Sequence, residues 1–362
     1  IHEATAAWRS DNVGPVMRFA PGDPDNSECF NPLDFVPHEP VAAYRMVQKL
    51  VPLLVTPAAG GRPTDFWEGR AAQMLSAALF DVAVNNPLGR RDMVAVVDWF
   101  SPSPVQLEDT MERLCRSDVR ALERVGNQLV TMPEKVRESI FDSARRHIDC
   151  WGAPELDELV AGTTFDMKDL RKFNGTFYLC VTPEELAGYT GIVRTLFGLT
   201  MLTLREDRAG WSGPPVTFFM DEFPQLGYMR EVEQMLALGR QSGLRLWLFA
   251  QTTAQLKDVY RDPDKIMNMM AVRCYMEPTG SEAHELSREL GSHDYGIFGK
   301  SGPMATPQQL MGPKYVGKVI VLEGGRKPAK LARINAYEDP VAASRMGPRI
   351  ALPAPFAFDE DD

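Results

Sequence analysis

Two adjacent carboxylates, Asp221 and Glu222, follow the apolar run Val216–Met220. A run of this kind is typical of a strand buried on both faces, and ligands of parallel sheets bind at the carboxyl ends of such strands. In a Walker B arrangement the first carboxylate holds the hydrated Mg²⁺ and the second polarises the water that attacks a γ-phosphate. The pattern therefore predicts Asp221 as the contact to Mg²⁺ and ATP, and Glu222 as a catalytic group. A strand that ends in a solvated Asp-Glu turn has the same local pattern.

Two further polar residues fit the same chemistry. Gln251 follows the apolar run Leu244–Phe249, so we expect it at the tip of a neighbouring strand, where an amide can sense the γ-phosphate. Arg240 precedes a turn that ends at Gly243, and a fixed guanidinium there can neutralise charge that grows on the phosphate of an adjoining subunit. Taken singly, each residue favours a simpler interpretation, Gln251 as the cap of the next helix and Arg240 as an exposed loop cation. Their order and spacing together favour catalytic roles.

Other site patterns are weak. Gly299-Lys300-Ser301 has the end of a phosphate-loop motif. Residue 294, however, is Asp rather than Gly, and Pro303 would block the helix whose N-terminus must face a phosphate. No histidine has a second ligand at metal spacing, and the 5 cysteines are scattered without a C-x-x-C pair. We expect neither a metal site built by side chains alone nor a disulfide framework.

The composition sets broad limits on function. The chain has 362 residues with 44% in the hydrophobic set and 24% charged, which is enough for two compact domains. The formal net charge of −10 argues against a broad basic surface for duplex DNA, though a short basic patch or loop stays open. No run of about 18 apolar residues is present, so the chain by itself is predicted to be soluble.

The pattern changes twice along the chain. Residues 1–65 are mostly loop, with a strand at Val16–Phe19 and a helix near 38–52. Residues 66–165 have apolar side chains at helical spacing and predict an all-α domain. Residues 166–345 predict an α/β domain, and the Pro/Ala-rich, then acidic tail of residues 346–362 is expected to be disordered or to dock on a partner.

Short apolar runs alternate with helices after residue 165, which is typical of a parallel sheet covered on both faces. The runs are Thr176–Val181, Val216–Met220, Leu244–Phe249, Ala271–Met276, Val319–Leu322 and Leu331–Ile334. Thr131 and Thr182 are each followed three residues later by Glu, so we expect each of them to form a capping box at a helix start.

Several dispersed motifs, in one order, resemble the type IV secretion coupling proteins, the TraG/VirD-type conjugation ATPases. The most specific are the segments 219–227, 239–243 and 249–256, which contain Asp221, Glu222, Arg240 and Gln251. Weaker likenesses are Asn31–Asp34, Phe66–Ala71, Tyr178–Pro183, Ala305–Pro307, Val321–Pro328 and Tyr337–Pro340. Together they cover about residues 3–340.

The resemblance implies an α/β fold, a RecA-like P-loop ATPase core. Residues 1–65 and 166–345 would form this nucleotide-binding domain, which the all-α domain of residues 66–165 interrupts. The resemblance also implies ATP and Mg²⁺ as cofactors, a homo-hexamer, and hydrolysis between subunits. Its partners would be relaxase or relaxosome proteins, or secreted effectors, with single-stranded DNA as a further cargo, and components of the type IV secretion channel. The location it implies is the cytoplasmic face of the bacterial inner membrane.

One part of the family pattern is absent from the sequence. No G-x-x-x-x-G-K-[ST] loop occurs, and Ile1–Arg9 resembles the stretch that follows this loop in the family. The resemblance therefore implies a fragment, incomplete at its N-terminus, whose anchor and phosphate loop precede Ile1 and which hydrolyses ATP negligibly by itself. Two alternatives stay open: a hexameric DNA-pumping or helicase-like ATPase without a secretion role, and a nucleotide-blind cargo-binding module.

Overall fold

The computed structural model describes residues 1–55, 66–207, 213–295 and 300–347. In chain order the helices are α1 (His2–Asn12), α2 (Pro40–Leu54), α3 (Phe66–Asn85), α4 (Met93–Trp99), α5 (Pro104–Cys115), α6 (Arg120–Thr131), α7 (Glu134–Arg145), α8 (Asp157–Val160), α9 (Asp169–Lys172), α10 (Pro183–Glu206), α11 (Arg230–Leu238), α12 (Thr253–Val259), α13 (Pro263–Met269), α14 (Gly280–Leu290), α15 (Pro307–Leu310) and α16 (Pro340–Ala343). The strands are β1 (Val16–Phe19), β2 (Thr176–Leu179), β3 (Val216–Met220), β4 (Leu244–Leu248), β5 (Val272–Met276), β6 (Ser292–Tyr295), β7 (Lys300–Pro303), β8 (Lys318–Glu323) and β9 (Ala329–Ala332).

The chain divides into two compact units. The larger consists of Met17–Phe173 and Phe177–Ala271, and the smaller of Ile1–Val16, Asn174–Thr176 and the chain from Val272 onward. The domain boundaries expected near residues 65, 165 and 345 stay predictions. The tail of residues 346–362 lies outside the described residues from residue 348 to its end. Among the residues that the structure describes, no helix is both long and apolar enough to cross a membrane.

The helical part of the larger unit follows the apolar periodicity of its sequence. In α3 the side chains of Ala71, Met74, Leu75, Ala78 and Val82 are buried, as their spacing predicts. One continuous core joins these side chains to those of α2 and to the middle of α10. No strand occurs between residues 66 and 165.

The α/β part of the larger unit is built on β3 and β4, which pair in parallel with Val216 opposite Leu244 and Met220 opposite Leu248. The buried face of this pair belongs to a second core with α10 and α11. The predicted capping box of α10 is confirmed, because Thr182 Oγ1 accepts from Glu185 N while Glu185 Oε2 accepts from Thr182 N. The predicted box at Thr131 is wrong, because its hydroxyl donates back to Asn127 O inside α6.

The smaller unit contains an antiparallel sheet of order β5-β8-β9. The sequence pattern placed these strands in a parallel sheet. The connection from Glu323 to Ala329 is short, and strands joined by so few residues can pair only in the antiparallel direction. Lys300, from the rejected phosphate-loop pattern, begins β7 rather than a helix.

Candidate active site

Glu222 and Gln251 meet at the carboxyl ends of β3 and β4. Because the strands are parallel and in register, the residues that follow them emerge at the same edge of the sheet. Gln251 Nε2 donates a hydrogen bond of 2.8 Å to Glu222 Oε1. The structure thus brings together two residues that the sequence placed in one site.

The second oxygen of Glu222 is also engaged. Gln225 Nε2 donates to Glu222 Oε2 at 2.6 Å, so each carboxylate oxygen accepts one amide hydrogen bond. The backbone of Glu222 has φ 51° and ψ 35°, a left-handed conformation that costs a non-glycine residue about 1 kcal/mol. Such strained backbone persists only where the surroundings determine it, and it clusters at functional sites. The two amides and the backbone together orient this carboxylate.

The backbone hydrogen bonds between β3 and β4 continue past the strand ends into the loop that carries Glu222. Phe249 N donates to Met220 O at 3.1 Å, and Phe223 N donates to Phe249 O at 3.0 Å. The Phe223 ring is fully buried and stacks on Tyr260, with ring centroids 5.6 Å apart. Glu222 therefore lies between two backbone anchors rather than on a loose turn.

Gln251 does not cap the helix that follows it. The box at the start of α12 is formed by Thr252 and Gln255, and Gln255 Oε1 also accepts from Gln251 N at 3.0 Å. The first turn of α12 thus holds the backbone of Gln251 while its side chain reaches Glu222. This geometry favours the sensor interpretation over the capping one.

Asp221 faces solvent beside this pair. Its side chain is exposed, and it makes no hydrogen bond or ion pair within the described parts of the chain. Mg²⁺ readily binds a solvated carboxylate, because this ion keeps several of its waters and takes one or two protein carboxylates as ligands. The position of Asp221 therefore fits a contact to hydrated Mg²⁺.

Arg240 lies at the opposite end of the strand pair. It is exposed, in the 3₁₀ turn Gly239–Ser242 that precedes β4. The five residues of β4 span roughly 13 Å at about 3.3 Å per residue, and Glu222 follows the far end of the neighbouring strand. Arg240 is therefore not brought to Glu222 of its own chain.

The sequence profile of one protein family matches most of this chain. The family described as Type IV secretory system Conjugative DNA transfer matches residues 1–296. The chain belongs to this family.

The curated relatives agree with this assignment. Protein VirD4 of Agrobacterium fabrum is 22% identical over 380 residues, which cover 98% of this chain and 56% of that protein. Conjugal transfer protein TraG of Escherichia coli is 23% identical over 408 residues, which cover 98% of this chain and 63% of that protein. The chain thus spans little more than half the length of these relatives.

Solved structures show the same fold. The conjugative coupling protein TrwBdeltaN70 superposes with a TM-score of 0.69 at 15% identity, over 88% of this chain and 74% of that one. TrwB in complex with ADP and Mg²⁺ gives a TM-score of 0.67 at 17% identity, over 88% of this chain and 73% of that one. This member of the conjugative DNA-transfer family therefore has the α/β, RecA-like ATPase fold that its motifs implied.

Sequence reasoning missed two buried arginines of this family member, Arg171 and Arg194, which are 3% and 1% exposed. Arg194 lies in the apolar stretch Ile192–Leu196 of α10, and an isolated charge in such a stretch is a usable signal, since buried charges need partners. Arg171 lies in the polar segment of α9 and has no comparable signal. Both guanidiniums contact the segments that carry the candidate catalytic residues.

One face of the strand pair carries three exposed aromatic side chains, Phe219, Trp247 and Phe249. Their rings stack on one another, with the Phe219 and Trp247 centroids 5.8 Å apart. The opposite face is the one buried against α10 and α11. The described residues leave this aromatic face open to solvent, so the prediction that this strand pair is covered on both faces is wrong within the described part of the chain.

Proposed function

We propose that this chain is the ATPase part of a type IV secretion coupling protein, which recruits cargo and drives its transfer by ATP hydrolysis between the subunits of a hexamer. The observation that carries the proposal is the hydrogen bond from Gln251 to Glu222 at the carboxyl ends of adjacent parallel strands. Family membership supports it independently.

Each side chain of the site has a role in the proposed reaction. Glu222 takes up the proton and orients the attacking water, and Gln225 and Gln251 fix the plane of its carboxylate. Gln251 is also placed to exchange its bond with Glu222 for one to a γ-phosphate. Asp221 holds the Mg²⁺ hydration shell, and this ion supplies neutralising charge to the phosphates.

Arg240 acts on the nucleotide of a neighbouring subunit in this proposal. Its place at the far end of the strand pair from Glu222 supports action across a subunit boundary. A ring of identical subunits presents one surface of each subunit to the opposite surface of the next. An exposed guanidinium at one end can then complete a site whose carboxylates lie at the other.

The proposed cargo and cellular location rest on family membership rather than on the geometry of the site. The relatives are named for conjugal transfer and conjugative coupling, which supports relaxase-bound DNA, with its single strand, or effector proteins as cargo. We propose that the working protein delivers this cargo to components of a type IV secretion channel at the cytoplasmic face of the inner membrane.

The test uses the complete gene product. We expect ATP hydrolysis that requires Mg²⁺ and is lost in Glu222→Gln, while binding of a fluorescent ATP analogue is kept. The matched control is Glu206→Gln, an exposed carboxylate paired with Lys49, which should leave turnover unchanged because such surface pairs contribute little. Absence of nucleotide binding by the complete protein would instead favour a nucleotide-blind cargo module.

A further inference from the structure

Two buried arginines, Arg171 and Arg194, lie behind the two segments that carry the candidate catalytic residues. Burial lowers the pKa of both guanidiniums. The Nε atom of each has no hydrogen-bond partner within the described residues. The cost of desolvation is offset by the hydrogen bonds of the Nη atoms and by the attraction of a nearby carboxylate, Glu231 for Arg194 and Asp207 for Arg171. The hydrogen bonds of the Nη atoms go to backbone carbonyls, including carbonyls of the two segments that carry Glu222 and Arg240.

Arg194 holds the segment that follows Glu222. From α10 its Nη1 donates to Leu226 O, and to Tyr228 O at 2.9 Å. The two carbonyls flank Gly227, whose φ of 69° turns the chain out of the 3₁₀ turn that begins after Glu222. This turn is only four residues long, and Gln225 N donates back to Glu222 O at 2.9 Å. A shift at Leu226 therefore reaches Glu222 directly.

Arg171 holds the turn that carries Arg240. From α9 its Nη2 donates to Ser242 O at 2.5 Å, and its Nη1 donates to Asp207 O at 2.9 Å. Ser242 is the last residue of the 3₁₀ turn that contains Arg240, and Gly243 with φ 65° ends it. One guanidinium thus ties this turn to the C-terminal end of α10, and the exposed Arg240 projects from a fixed backbone.

We infer that Arg194 and Arg171 are positioning residues, Arg194 for Glu222 and Arg171 for Arg240. This inference rests on the proposed function. It goes beyond that proposal because it assigns the two buried arginines to opposite sides of a subunit boundary. Arg194 positions Glu222 in the subunit that binds the nucleotide. Arg171 positions Arg240 in the neighbouring subunit that contributes this arginine to the site. Both act through backbone, so their loss lowers kcat and leaves nucleotide affinity unchanged.

Hydrogen exchange on the 362-residue chain tests the positioning itself. We expect Arg194→Met to accelerate exchange of the Gln225 and Gly227 amides by about tenfold, because two carbonyls of their turn lose a charged donor. The Gly243 amide should keep its rate. Arg171→Met should accelerate Gly243 and leave Gln225 and Gly227 unchanged.

The conservative variants keep this test decisive. Arg194→Lys and Arg171→Lys retain a buried donor and should give smaller accelerations at the same amides. If a methionine variant does not fold, exchange is measured on the corresponding lysine variant instead. Equal acceleration of both segments by either arginine variant would overturn the inference, because it would show a general loss of stability.

Mixed assemblies of the complete gene product test the division between subunits. Glu222→Gln and Arg240→Ala should each be inactive alone, whereas equal mixing gives about a quarter of the interfaces with both groups intact. Arg171→Met should recover activity when mixed with Glu222→Gln and not with Arg240→Ala. Arg194→Met should recover activity when mixed with Arg240→Ala and not with Glu222→Gln.

The outcomes separate this inference from the proposal on which it rests. If the mixture of Glu222→Gln and Arg240→Ala recovers activity but the two buried arginines show no preference of partner, the inference is wrong and the proposed function stands. If that mixture recovers nothing although mixed rings form, the catalysis across subunits is wrong, and the exchange rates still decide whether each arginine fixes its own segment.

Discussion

The side-chain amide of Gln251 donates a 2.8 Å hydrogen bond to Oε1 of Glu222, although 29 residues separate them along the chain. The bond exists because β3 and β4 run parallel and in register, so that their ends coincide. It orients the carboxylate that would activate water and connects this carboxylate to a residue able to respond to a phosphate. In the proposed function this one pair of side chains serves both hydrolysis and the sensing of the γ-phosphate.

The first prediction concerns the carboxylate. In the complete gene product, Glu222→Gln should lower the rate of ATP hydrolysis by about 100-fold or more, since the loss of a general base typically has that effect. Nucleotide affinity should be kept, because the substitution removes a charge and leaves the shape. Steady-state hydrolysis and equilibrium binding measure the two quantities. A variant that hydrolyses ATP within about threefold of the wild type would contradict the assignment.

The second prediction concerns Gln251. Gln251→Ala leaves Glu222 Oε1 without its amide donor, so kcat should fall by roughly fivefold, the equivalent of one hydrogen bond of about 1 kcal/mol. Gln251→Glu should be worse, because it places a second carboxylate against the first. Gln308→Ala, which changes an amide side chain on α15 in the smaller unit, is the control. Equal activity of Gln251→Ala and the wild type would remove Gln251 from the site.

The third prediction concerns Arg240. Arg240→Ala should fold and bind nucleotide, yet lose hydrolysis by about 1,000-fold, because the guanidinium meets charge that is greatest in the transition state. Arg240→Lys should not restore the rate, since a lysine lacks the fixed planar donor set. The matched control is Arg245→Ala, an exposed arginine on β4. If Arg240→Ala turned over normally, Arg240 would be no more than a surface cation.

The fourth prediction concerns the stability of the helical part. Asp81 is 1% exposed and accepts from both terminal nitrogens of Arg113, at 2.6 and 2.7 Å, and from Trp99 Nε1 at 3.0 Å. Asp81→Ala should lower the free energy of unfolding by about 2–3 kcal/mol, less than for a fully buried pair because Arg113 is half exposed. Urea unfolding measures this, with Glu112→Ala as the exposed control.

The fifth prediction concerns pH and the partly buried thiol of Cys150. Burial raises the pKa of Cys150 from 9.0 to about 11. The folded state thus favours the protonated thiol, and this contribution to stability is complete below pH 9.0 and is lost as the pH rises toward 11. At pH 8 iodoacetamide should modify Cys150 far more slowly in the folded chain than in urea, since only the thiolate reacts. Equal rates in both states would show that the thiol is neither buried nor shifted.

Much of the candidate site was predictable because its signals are local. An apolar run followed by two carboxylates defines the end of a strand, and the second run followed by Gln251 defines its neighbour, although only one face of the pair is buried. The capping box at Thr182 is equally local, since both of its hydrogen bonds span three residues. Thr131 has the same spacing to Glu134 but fails, because its hydroxyl finds a carbonyl inside the preceding helix.

The sequence by itself predicted most of the strands, though not β6 and β7. It also predicted the helical periodicity and the identity of the groups that could perform hydrolysis, because propensity and burial act over a few residues. The tertiary structure decided which of these groups meet. It placed Gln251 on Glu222 and Arg240 at the other end of the strand pair. It also gave Arg171 and Arg194 their partners, carbonyls 71 and 32 residues away. Backbone carbonyls carry no residue-specific signal in a sequence, so only the fold reveals which of them a buried cation will hold.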